Sequence, residues 1–416
     1  MQLLVIGYVW PESRSSGAGM RIMEWIHLFL EHNWNVHVTS PAARTEHAND
    51  LDALGVQSSA IELNANSFDD FITTLNPDVV LFDRFMMEEQ FGWRVEKQCP
   101  HALRLLETID LHCLREARHQ QVKRTAEVVC DVPTTDLYSD MAKREIAAIW
   151  RSDLSLLISD YEVDLLQEAF GLSPDLIHHC GFMLDTSHRP AVIPSFEARQ
   201  HFMTIGNFRH APNWDAVLWL KQVIWPMIRA KLPKAELHIY GAYAPPKATA
   251  IHAPKDGFLI EGRAEDALHV MQQARICLAP LRFGGGIKSK LADAMLAGTP
   301  SITTSVGAEA MTGGLPWNGV VADEAEAFAQ AAVSLYQDKS AWLQAQQHGF
   351  AILETWFNKQ KNEAALMQRI EQLLGRLEEH RLKNFTGAML RHHHHRSTEF
   401  MSRWIEAKNN PTIQIS

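Results

Sequence analysis

The sequence predicts an α/β protein with two doubly wound domains that face each other across a cleft. Three observations lead to this prediction. Short apolar runs alternate with longer amphipathic stretches, which is typical of a parallel sheet with helices on both faces. The same alternation starts a second time near residue 201. The length of 416 residues also exceeds what one ordinary hydrophobic core accommodates.

The first series of elements lies in residues 1–190, which we assign to an N-terminal domain. Its predicted strands are buried apolar runs at residues 3–9, 35–40, 77–83, 102–110 and 153–159. Apolar side chains recur at helical spacing between them, at residues 19–33 and 69–76. Because strands and helices alternate, we expect the strands to pair in parallel.

The second series lies in residues 199–355, which we assign to a C-terminal domain. Its predicted strands are at residues 199–208, 235–241, 257–262, 274–281 and 300–305. A helix is predicted at residues 213–228, with Asn213 as its N-cap. Residues 185–198 contain two prolines and no clear period, so they are predicted to link the domains.

The segment after residue 355 is predicted to form one long polar helix over 361–382, followed by a tail over 383–416. Several apolar side chains there lie on one helical stripe and need a partner surface: Trp356, Phe357, Ala365, Leu366, Ile370 and Leu373. That surface is either domain or a second copy of the chain. The run RHHHHR at 391–396 is interpreted as part of a solvated tail, and metal binding is the alternative.

Composition excludes several classes of function. A formal net charge of −10 disfavours general nucleic-acid binding. No apolar run reaches the length of a membrane span, and the N-terminal MQLLVIGYVW reads as a buried strand without the basic leader of a signal peptide. Five widely spaced cysteines without a CxxC pair favour neither a zinc site nor a disulfide framework, so we expect a reducing, cytoplasmic environment.

A glycine-rich stretch directly follows the predicted strand 274–281. FGGGIKSKLADAM holds, in order, Gly284, Gly285, Gly286, Lys288, Lys290 and Asp293. Consecutive glycines are costly unless the backbone passes close to something, and ligands of doubly wound folds bind beyond the carboxyl ends of strands. Free amides, a helix N-terminus and two ammonium groups suit a diphosphate. The alternative is a tight turn with two surface lysines, since neither G-x-x-x-x-G-K-[ST] nor G-x-G-x-x-G spacing is present.

Two further side chains are candidates for the same site. Asp293 lies three residues beyond Lys290, on the same helical face, where a carboxylate can accept hydrogen bonds from a ribose diol. The alternative is a partner for the helix dipole. Arg209 follows a predicted strand of the same domain and can reach the cleft from the other side, with an ordinary surface arginine as the alternative.

The residues 280–311 and 206–241 resemble the C-terminal signature of the family-4, group-1 glycosyltransferases. The matching stretches are PLRFGGGIKSKLADAMLAGTPSITTSVGAEAM, GNFRHAPNWDAVLWL and WPMIRAKLPKAELHIYG. The glycine loop followed by Lys-x-Lys is similar to a recognisable subtype. The resemblance implies the GT-B fold, in which two Rossmann-like domains enclose the active site, and retaining sugar transfer from a nucleotide-sugar. It also implies that a C-terminal helix, about 356–382, crosses back to complete the N-terminal domain.

The resemblance assigns roles by position in the donor site. A basic pair, Arg209 and Lys290, would hold the diphosphate, and Asp293 would bind the ribose. Gly17 and Gly19, in SSGAGMR, would bring backbone amides of the N-terminal domain to the donor. The family's Glu-x7-Glu motif would require glutamates at 285 and 293, whereas this chain has Gly285 and Asp293.

The N-terminal domain is expected to hold the acceptor. Asp110 and His112 follow a predicted strand, where the resembling family often has an Asp or His facing the sugar, and His112 would orient a hydroxyl. Alternatively, Asp110 caps the next helix and His112 is a packed neighbour. A second group after another strand either binds acceptor hydroxyls or starts a solvated helix: Asp83, Arg84, Glu88 and Glu89.

The predicted function is a retaining glycosyltransferase of glycan or envelope polysaccharide synthesis, with a glycan or lipid-linked acceptor. Lys288, Lys290 and Arg209 would stabilise the departing diphosphate, and no Asp-x-Asp pair stands beside a strand end, so neither a metal nor a cofactor is expected. The alternatives are a nucleotide-sugar epimerase and a non-catalytic nucleotide-sugar-binding subunit. Peripheral contact with the inner face of the membrane stays open, since no strong amphipathic basic helix supports it.

Overall fold

Two parallel β-sheets with helices on both faces form the structure, a computed structural model that describes residues 1–185, 189 and 192–409. The strands of the first sheet are β1 (Gln2–Ile6), β2 (Asn35–Ser40), β3 (Gln57–Ala60), β4 (Val79–Asp83), β5 (Leu103–Glu107), β6 (Leu154–Leu157) and β7 (Ile177–His179). Those of the second are β8 (Gln200–Ile205), β9 (Leu237–Tyr240), β10 (Phe258–Gly262), β11 (Ala274–Ala279), β12 (Ser301–Thr303) and β13 (Gly319–Val321).

The helices follow the strands in alternation. Those of the first domain are α1 (Gly17–Glu31), α2 (Ser67–Leu75), α3 (Phe85–Gln98), α4 (His112–Thr125), α5 (Thr134–Leu137), α6 (Asp140–Arg151) and α7 (Asp160–Phe170). Those of the second are α8 (Ala211–Trp219), α9 (Trp225–Lys231), α10 (Pro246–Thr249), α11 (Ala267–Gln273), α12 (Ser289–Leu296), α13 (Ser305–Ala308), α14 (Ala325–Gln337) and α15 (Lys339–Thr355). The chain then forms α16 (Lys359–Leu374), α17 (Leu377–Lys383) and α18 (Phe385–Asn409).

The strand orders are β3-β2-β1-β4-β5-β6-β7 and β10-β9-β8-β11-β12-β13, and every pair is parallel. Each order reverses its direction beside its first strand, so each domain has a switch point, between β1 and β4 and between β8 and β11. The predicted pair of doubly wound α/β domains is therefore confirmed. The strands that the sequence did not predict are β3, β7 and β13, which all lie at sheet edges and span three or four residues.

The predicted helix 213–228 differs in its start and its continuity. It begins at Ala211 with His210 as N-cap, so Asn213 is not the cap. A π-helical turn at Leu220–Ile224 separates α8 from α9. Pro226 lies in the first turn of α9 and lacks the amide hydrogen that a continuous α-helix would need there, which accounts for the interruption.

The chain that returns from the second domain packs on the first sheet. Leu366, Met367, Ile370 and Leu373 of α16 share a hydrophobic cluster with α1 and with strands β1, β2 and β4 to β6. The single helix predicted over 361–382 is wrong, because α16 ends at Leu374 and α17 begins at Leu377. Ala365, predicted to be buried, is exposed.

The outgoing and returning segments are joined to one another. The amide of Leu184 donates to the Phe357 carbonyl at 3.0 Å, and the Asn362 side chain donates to the Phe182 carbonyl at 3.0 Å. Arg21 of α1 lies buried beneath this crossing, where its guanidinium donates to the Cys180 carbonyl at 2.6 Å. Two crossings of the chain therefore meet at one place beside the first domain.

The prediction of a solvated tail is wrong for residues 385–409, because they form α18, which packs on α3 and α6. Gly387 approaches the Trp150 carbonyl so closely that a Cβ would collide with it. Arg94 donates to the Ser402 hydroxyl at 3.1 Å, and His395 is buried with its Nδ1 at 2.5 Å from a Glu96 oxygen. Within the histidine run, only His392 and His393 are exposed. None of the helices in the described residues is long and apolar enough to cross a membrane.

We expect Ile370→Ala to lower the free energy of unfolding of the first domain by about 2–5 kcal/mol, because the side chain is fully buried against the sheet. Gln368→Ala is the matched control, since Gln368 lies on the exposed side of the same helix. Urea denaturation followed by circular dichroism measures both. Equal stability of the two variants would show that α16 adds nothing to this core.

Candidate active site

The candidate site lies where the two switch points face each other. Strands β8 and β11 are paired neighbours, and their carboxyl ends lead into the loops 206–210 and 280–288. In the first domain, β5 leads into the turn 108–111 before α4. Ligands of doubly wound domains bind at such loops, and the residues predicted for the site lie on them.

The glycine loop makes its close approach to the opposite domain. A Cβ on Gly285 would lie 3.0 Å from a carboxylate oxygen of Asp110, and a Cβ on Gly286 would lie 2.9 Å from the Ile109 carbonyl. Gly286 also has φ +57°, in the left-handed region that favours glycine. The glycines therefore allow the loop to contact the turn after β5.

Two buried side chains of the first domain hold the loop in this position. One oxygen of Glu162 accepts the Leu111 amide at 3.0 Å and the Gly286 amide at 2.7 Å. Arg118 donates to the Gly284 carbonyl at 2.8 Å and to both oxygens of Glu309, at 2.9 and 2.5 Å. Each side chain therefore fastens the loop of the second domain to the first.

Sequence reasoning missed both side chains of this fastening. Glu162 lies in the first turn of α7 and Arg118 in the middle of α4, where a carboxylate and a guanidinium usually face water. Burial, reinforced by the nearby Asp110 carboxylate, raises the pKa of Glu162. No local pattern distinguishes either residue, because their partners in the glycine loop lie more than 120 positions away in the chain.

The two lysines occupy different environments at the start of α12. Lys288 is buried, and its ammonium donates to the Gly286 carbonyl at 2.7 Å, within its own loop. The Lys290 ammonium donates to the Asn213 side-chain oxygen at 2.7 Å, in α8. Burial lowers the pKa of Lys288 and lowers that of Lys290 to about 8. Lys288 therefore stabilises the loop, and Lys290 stands between α8 and α12.

Asp293 stands one turn beyond Lys290, as predicted from the spacing. Burial raises the pKa of Asp293 to about 7, and the Glu24 carboxylate of the opposite domain adds to the effect. Burial and a neighbouring carboxylate disfavour the ionised form of a carboxyl group, and hydrogen-bond donors from a ligand favour it. The hydroxyls of a ribose are such donors.

Arg209 is not directed toward Lys290. Its guanidinium lies over the Tyr243 ring, 3.8 Å from the ring centre, on an exposed groove that Lys247 also lines. The Tyr243 hydroxyl donates to Glu12 of the first domain at 2.8 Å. The structure thus places the predicted partner of Lys290 at the outer rim of the cleft.

His210, the neighbour of Arg209, is also exposed, but it interacts with charged groups of both domains. The surrounding protein lowers the pKa of His210, and the charges that act on it include Arg115 and Asp110 from one domain and Lys290 from the other. Asn213, the predicted cap, instead supplies the oxygen that accepts from Lys290. Both residues follow a strand that the sequence predicted, so their proximity to the site could have been predicted from the sequence.

Asp110 and His112 lie together on the first domain's side of the cleft. The His112 Nε2 is 3.6 Å from an Asp110 oxygen, and Arg115 also pairs with Asp110. Burial lowers the pKa of His112 to about 4. Burial alone would raise the pKa of Asp110, but Arg115 and His112 hold it well below its usual range. A neutral imidazole therefore stands beside a carboxylate.

The alternative in which Asp110 caps α4 is wrong. Leu111 occupies the N-cap position, and no side chain at that position makes a capping bond. The amides of His112 and Cys113 instead donate to the two oxygens of Glu145, at 2.9 and 3.0 Å. Glu145, a buried residue of α6, therefore caps the helix and leaves Asp110 facing the glycine loop.

The second group of acceptor candidates has structural partners instead. Glu88 pairs with Arg151, and Glu89 pairs with Arg144 at 2.6 Å, so both join α3 to α6. Asp83 accepts the Tyr8 amide at 3.0 Å and pairs with Arg84 at 3.3 Å. Both glutamates are buried in these pairs, so neither of the two alternatives, an acceptor contact or a solvated helix start, describes them.

Of the two glycines in α1, only Gly17 faces the second domain. A Cβ at Gly17 would lie 2.8 Å from the Ser289 hydroxyl and 3.4 Å from the Ser289 Cβ. Gly19 instead contacts the backbone of Glu12, where a Cβ would come within 2.5 Å, and its amide donates to the Ser16 hydroxyl at 3.0 Å. The predicted role of Gly19 as an amide donor to a ligand is therefore wrong.

Within the described ranges, one group has the composition of a metal site, namely His201, Glu236 and His238, whose ligand atoms lie within 4.8 Å of one another. It stands at the amino ends of β8 and β9, away from the glycine loop. The Glu236 amide donates to the His201 Nδ1, so this ring keeps its hydrogen on Nε2, the atom that would bind the metal. The expectation that the cleft works without a metal stays a prediction.

We expect Gly17→Cys with Ser289→Cys to form a disulfide under mild oxidation, because the two Cβ atoms would be 3.4 Å apart, close to disulfide geometry. Non-reducing electrophoresis and thiol titration measure it, with each single variant as control. A pair that stays reduced while the single variants are folded would contradict this arrangement of the domains.

The comparisons with known proteins agree with this architecture. Residues 199–338 match the family model described as Glycosyl transferases group 1. No curated protein sequence matches the chain. The solved structure of Anabaena Alr3699/HepE with UDP-glucose is similar at TM-score 0.67 and 11% identity, over 90% of this chain and 100% of that one.

Two further structures share the arrangement. Sucrose-phosphate synthase from Thermosynechococcus elongatus aligns at TM-score 0.66 and 14% identity, over 90% of this chain and 99% of that one. WaaG, a glycosyltransferase involved in lipopolysaccharide biosynthesis, aligns at TM-score 0.58 and 10% identity, over 87% and 98%. The chain thus has the GT-B fold, and its second domain is similar to the group 1 glycosyl transferases.

Proposed function

We propose that this protein is a metal-independent, retaining glycosyltransferase that moves a sugar from a nucleoside-diphosphate sugar to an acceptor hydroxyl. The observation that carries the proposal is the meeting of Lys290, the α12 N-terminus and Asp293 at the switch point of the second sheet. This is the domain that matches a glycosyl transferase family. HepE, which shares the fold, was solved with UDP-glucose.

Lys290 has the properties that a departing diphosphate requires. Its ammonium is held by a neutral amide oxygen, and no carboxylate is among the groups that it contacts in the described residues. An ammonium without a counter-charge attracts an anion, and the first amides of α12 add the positive end of the helix dipole. Asp293, one turn further on, is in place for the ribose hydroxyls.

Asp110 accounts for the missing glutamate at position 285. The resembling family has a carboxylate there that contacts the donor sugar. In this chain, a Cβ at position 285 would lie 3.0 Å from an oxygen of the Asp110 carboxylate and 3.1 Å from an oxygen of the Glu162 carboxyl group, both from the first domain. A glutamate at 285 would crowd these groups and meet the negative charge of Asp110, so we infer that Asp110 supplies its contact with the sugar.

The transfer step breaks the bond between the anomeric carbon and the diphosphate oxygen and forms one to the acceptor oxygen on the same face. The acceptor's proton ends on the departing diphosphate. Lys290 and the loop amides stabilise the negative charge that grows on the leaving group. His112, neutral because its pKa is lowered to about 4, can accept a hydrogen bond from a sugar or acceptor hydroxyl.

The proposal is tested by incubating the protein with a panel of nucleotide-sugars and assaying transfer to simple glycosides, together with slow hydrolysis. Release of nucleoside diphosphate with one donor is the expected result. Nucleotide binding without turnover would identify a binding subunit, and conversion of the donor to its epimer would identify an epimerase.

Lys290→Ala should lower kcat/KM for transfer, which corresponds to a loss of about 2–4 kcal/mol of transition-state stabilisation, because a cation is removed from beside the leaving group. The control is Lys234→Ala, an exposed lysine of the same domain. Lys288→Ala should lower kcat/KM less, since the Lys288 ammonium donates its hydrogen bond within the loop. Near wild-type transfer by the Lys290 variant at saturating donor would contradict the assignment.

Binding of UDP, or of whichever nucleoside diphosphate the panel selects, should weaken as pH rises from 7.5 to 9.5. Lys290 has a pKa of about 8 in the free protein, so it is charged below that pH and loses its proton above it. The dissociation constant should rise by up to about tenfold per pH unit. Lys290→Arg should show a flatter profile because arginine stays charged. A flat wild-type profile in titration calorimetry would argue against Lys290.

Transfer should survive chelation by EDTA, since Lys290 and the α12 N-terminus supply positive charge for the diphosphate, and no group of three metal-ligating side chains lies in the cleft among its described residues. Initial rates with and without EDTA, in metal-free buffer, provide the measurement. Loss of activity that added Mg²⁺ or Mn²⁺ restores would overturn this expectation.

A further inference from the structure

The outer face of α18 is unusually apolar for a surface helix. Four large side chains on it are mostly or half exposed, at 76% for Phe385, 48% for Met389, 67% for Phe400 and 60% for Trp404. Leu382, just before the helix, is 82% exposed. Exposed aromatic and aliphatic side chains grouped on one surface helix often mark a binding surface.

Helical geometry places these side chains on one side. The four residues follow one another at spacings of 4, 11 and 4 positions, which keeps them within about 100° of arc on an α-helix. Arg396 and Arg403 fall within the same arc by the same count. This pattern was not predicted, because the segment was interpreted from its histidine run as part of a solvated tail.

The charges of this side of the helix are mostly positive. Glu399 pairs with two cations, Lys97 at 3.3 Å and Arg403 at 2.5 Å, and Glu406 accepts the Asn66 amide at 3.2 Å. Arg396 and Arg403 are exposed, and the Lys408 ammonium lies over the Trp404 ring at 5.1 Å. Cations therefore outnumber the two glutamates here, and a net positive surface is a local exception in a chain with a net charge of −10.

The opposite side of α18 is fixed to the protein, so the apolar face cannot turn inward. Arg391 pairs with Glu96 at 3.3 Å, His395 is buried between Glu88 and Glu96, and Ser402 accepts from Arg94. These contacts hold the helix along the surface of α3 and α6. The face is therefore presented outward by a rigid support.

We propose that this face, formed by Phe385, Met389, Arg396, Phe400, Arg403 and Trp404, binds an anionic lipid membrane. A helix that lies in a bilayer interface has aromatic and aliphatic side chains for the acyl boundary and basic side chains for the headgroups. A second copy of the chain fits less well, because a two-fold contact would bring two net positive surfaces together.

The position of this face relates membrane binding to the acceptor side of the cleft, an argument that rests on the proposed function. Helix α3 supports α18 through Glu88, Arg94 and Glu96, and its first residue, Phe85, meets the His112 ring edge-on at 5.5 Å. The membrane would thus lie on the side of the domain expected to hold the acceptor. A lipid-linked acceptor can then reach the cleft without leaving the bilayer.

Co-sedimentation of the full chain with phosphatidylcholine vesicles, with and without about one third phosphatidylglycerol, tests the proposal. We expect binding to the anionic vesicles that weakens in 0.5 M salt, because exposed charges are screened at high ionic strength. Phe400→Ser with Trp404→Ser, and separately Arg396→Glu with Arg403→Glu, should each lower the partition coefficient by about tenfold or more. Val192→Ser with Leu343→Ser removes exposed apolar side chains elsewhere and should change nothing.

Two outcomes would overturn the proposal: no binding of the wild type to anionic vesicles, or unchanged binding by both α18 variants. A dimer in light scattering that the Phe400 and Trp404 changes dissociate, without vesicle binding, would assign the face to a second copy instead. Nucleotide binding is measured on the same preparations. If the wild type does not bind nucleotide, the proposed function is contradicted, whereas vesicle binding is judged independently.

Discussion

The contact between the glycine loop and the turn after β5 is the constraint on which the cleft depends. Two domains with separate cores meet where backbone atoms of Gly285 and Gly286 lie against Asp110 and Ile109. Glu162 accepts an amide from each side of this contact. A side chain at Gly286 would meet the Ile109 carbonyl at 2.9 Å in a backbone conformation that favours glycine, so substituting it would push apart the groups that face the donor.

The close contact between the two domains also determines the electrostatics of the cleft. Burial between two domains raises the pKa of Glu162 and of Asp293 and lowers those of Lys290 and His112. Each of these shifts favours the neutral form, and a bound diphosphate, ribose or sugar can supply the missing partner. A cleft of this kind gains stability from its ligand more than from its own ion pairs, whereas Arg118 and Glu309 form a complete pair that closes it.

The fold was predictable because its signals are local. Alternating apolar runs identified the central strands, and the spacing of Lys288, Lys290 and Asp293 identified the start of α12. The edge strands β3 and β7 were missed because three or four residues carry too little pattern. Glu162 and Arg118 were missed because their partners are distant in sequence, so they look like ordinary charges on helices. The direction of Arg209 depends on Tyr243, which the sequence places 34 positions away.

The route of the chain through the two sheets has a consequence for synthesis on the ribosome. The second domain consists of consecutive residues, so it can fold as soon as α15 has emerged. The first domain begins the chain but lacks α16 and α18 until residues 359–409 are made. During that interval, the surfaces under Ile370 and around Glu96 are open to water, and nascent domains with open apolar surface are the species that chaperones hold. Helices made after the second domain thus complete a domain whose strands were made before it.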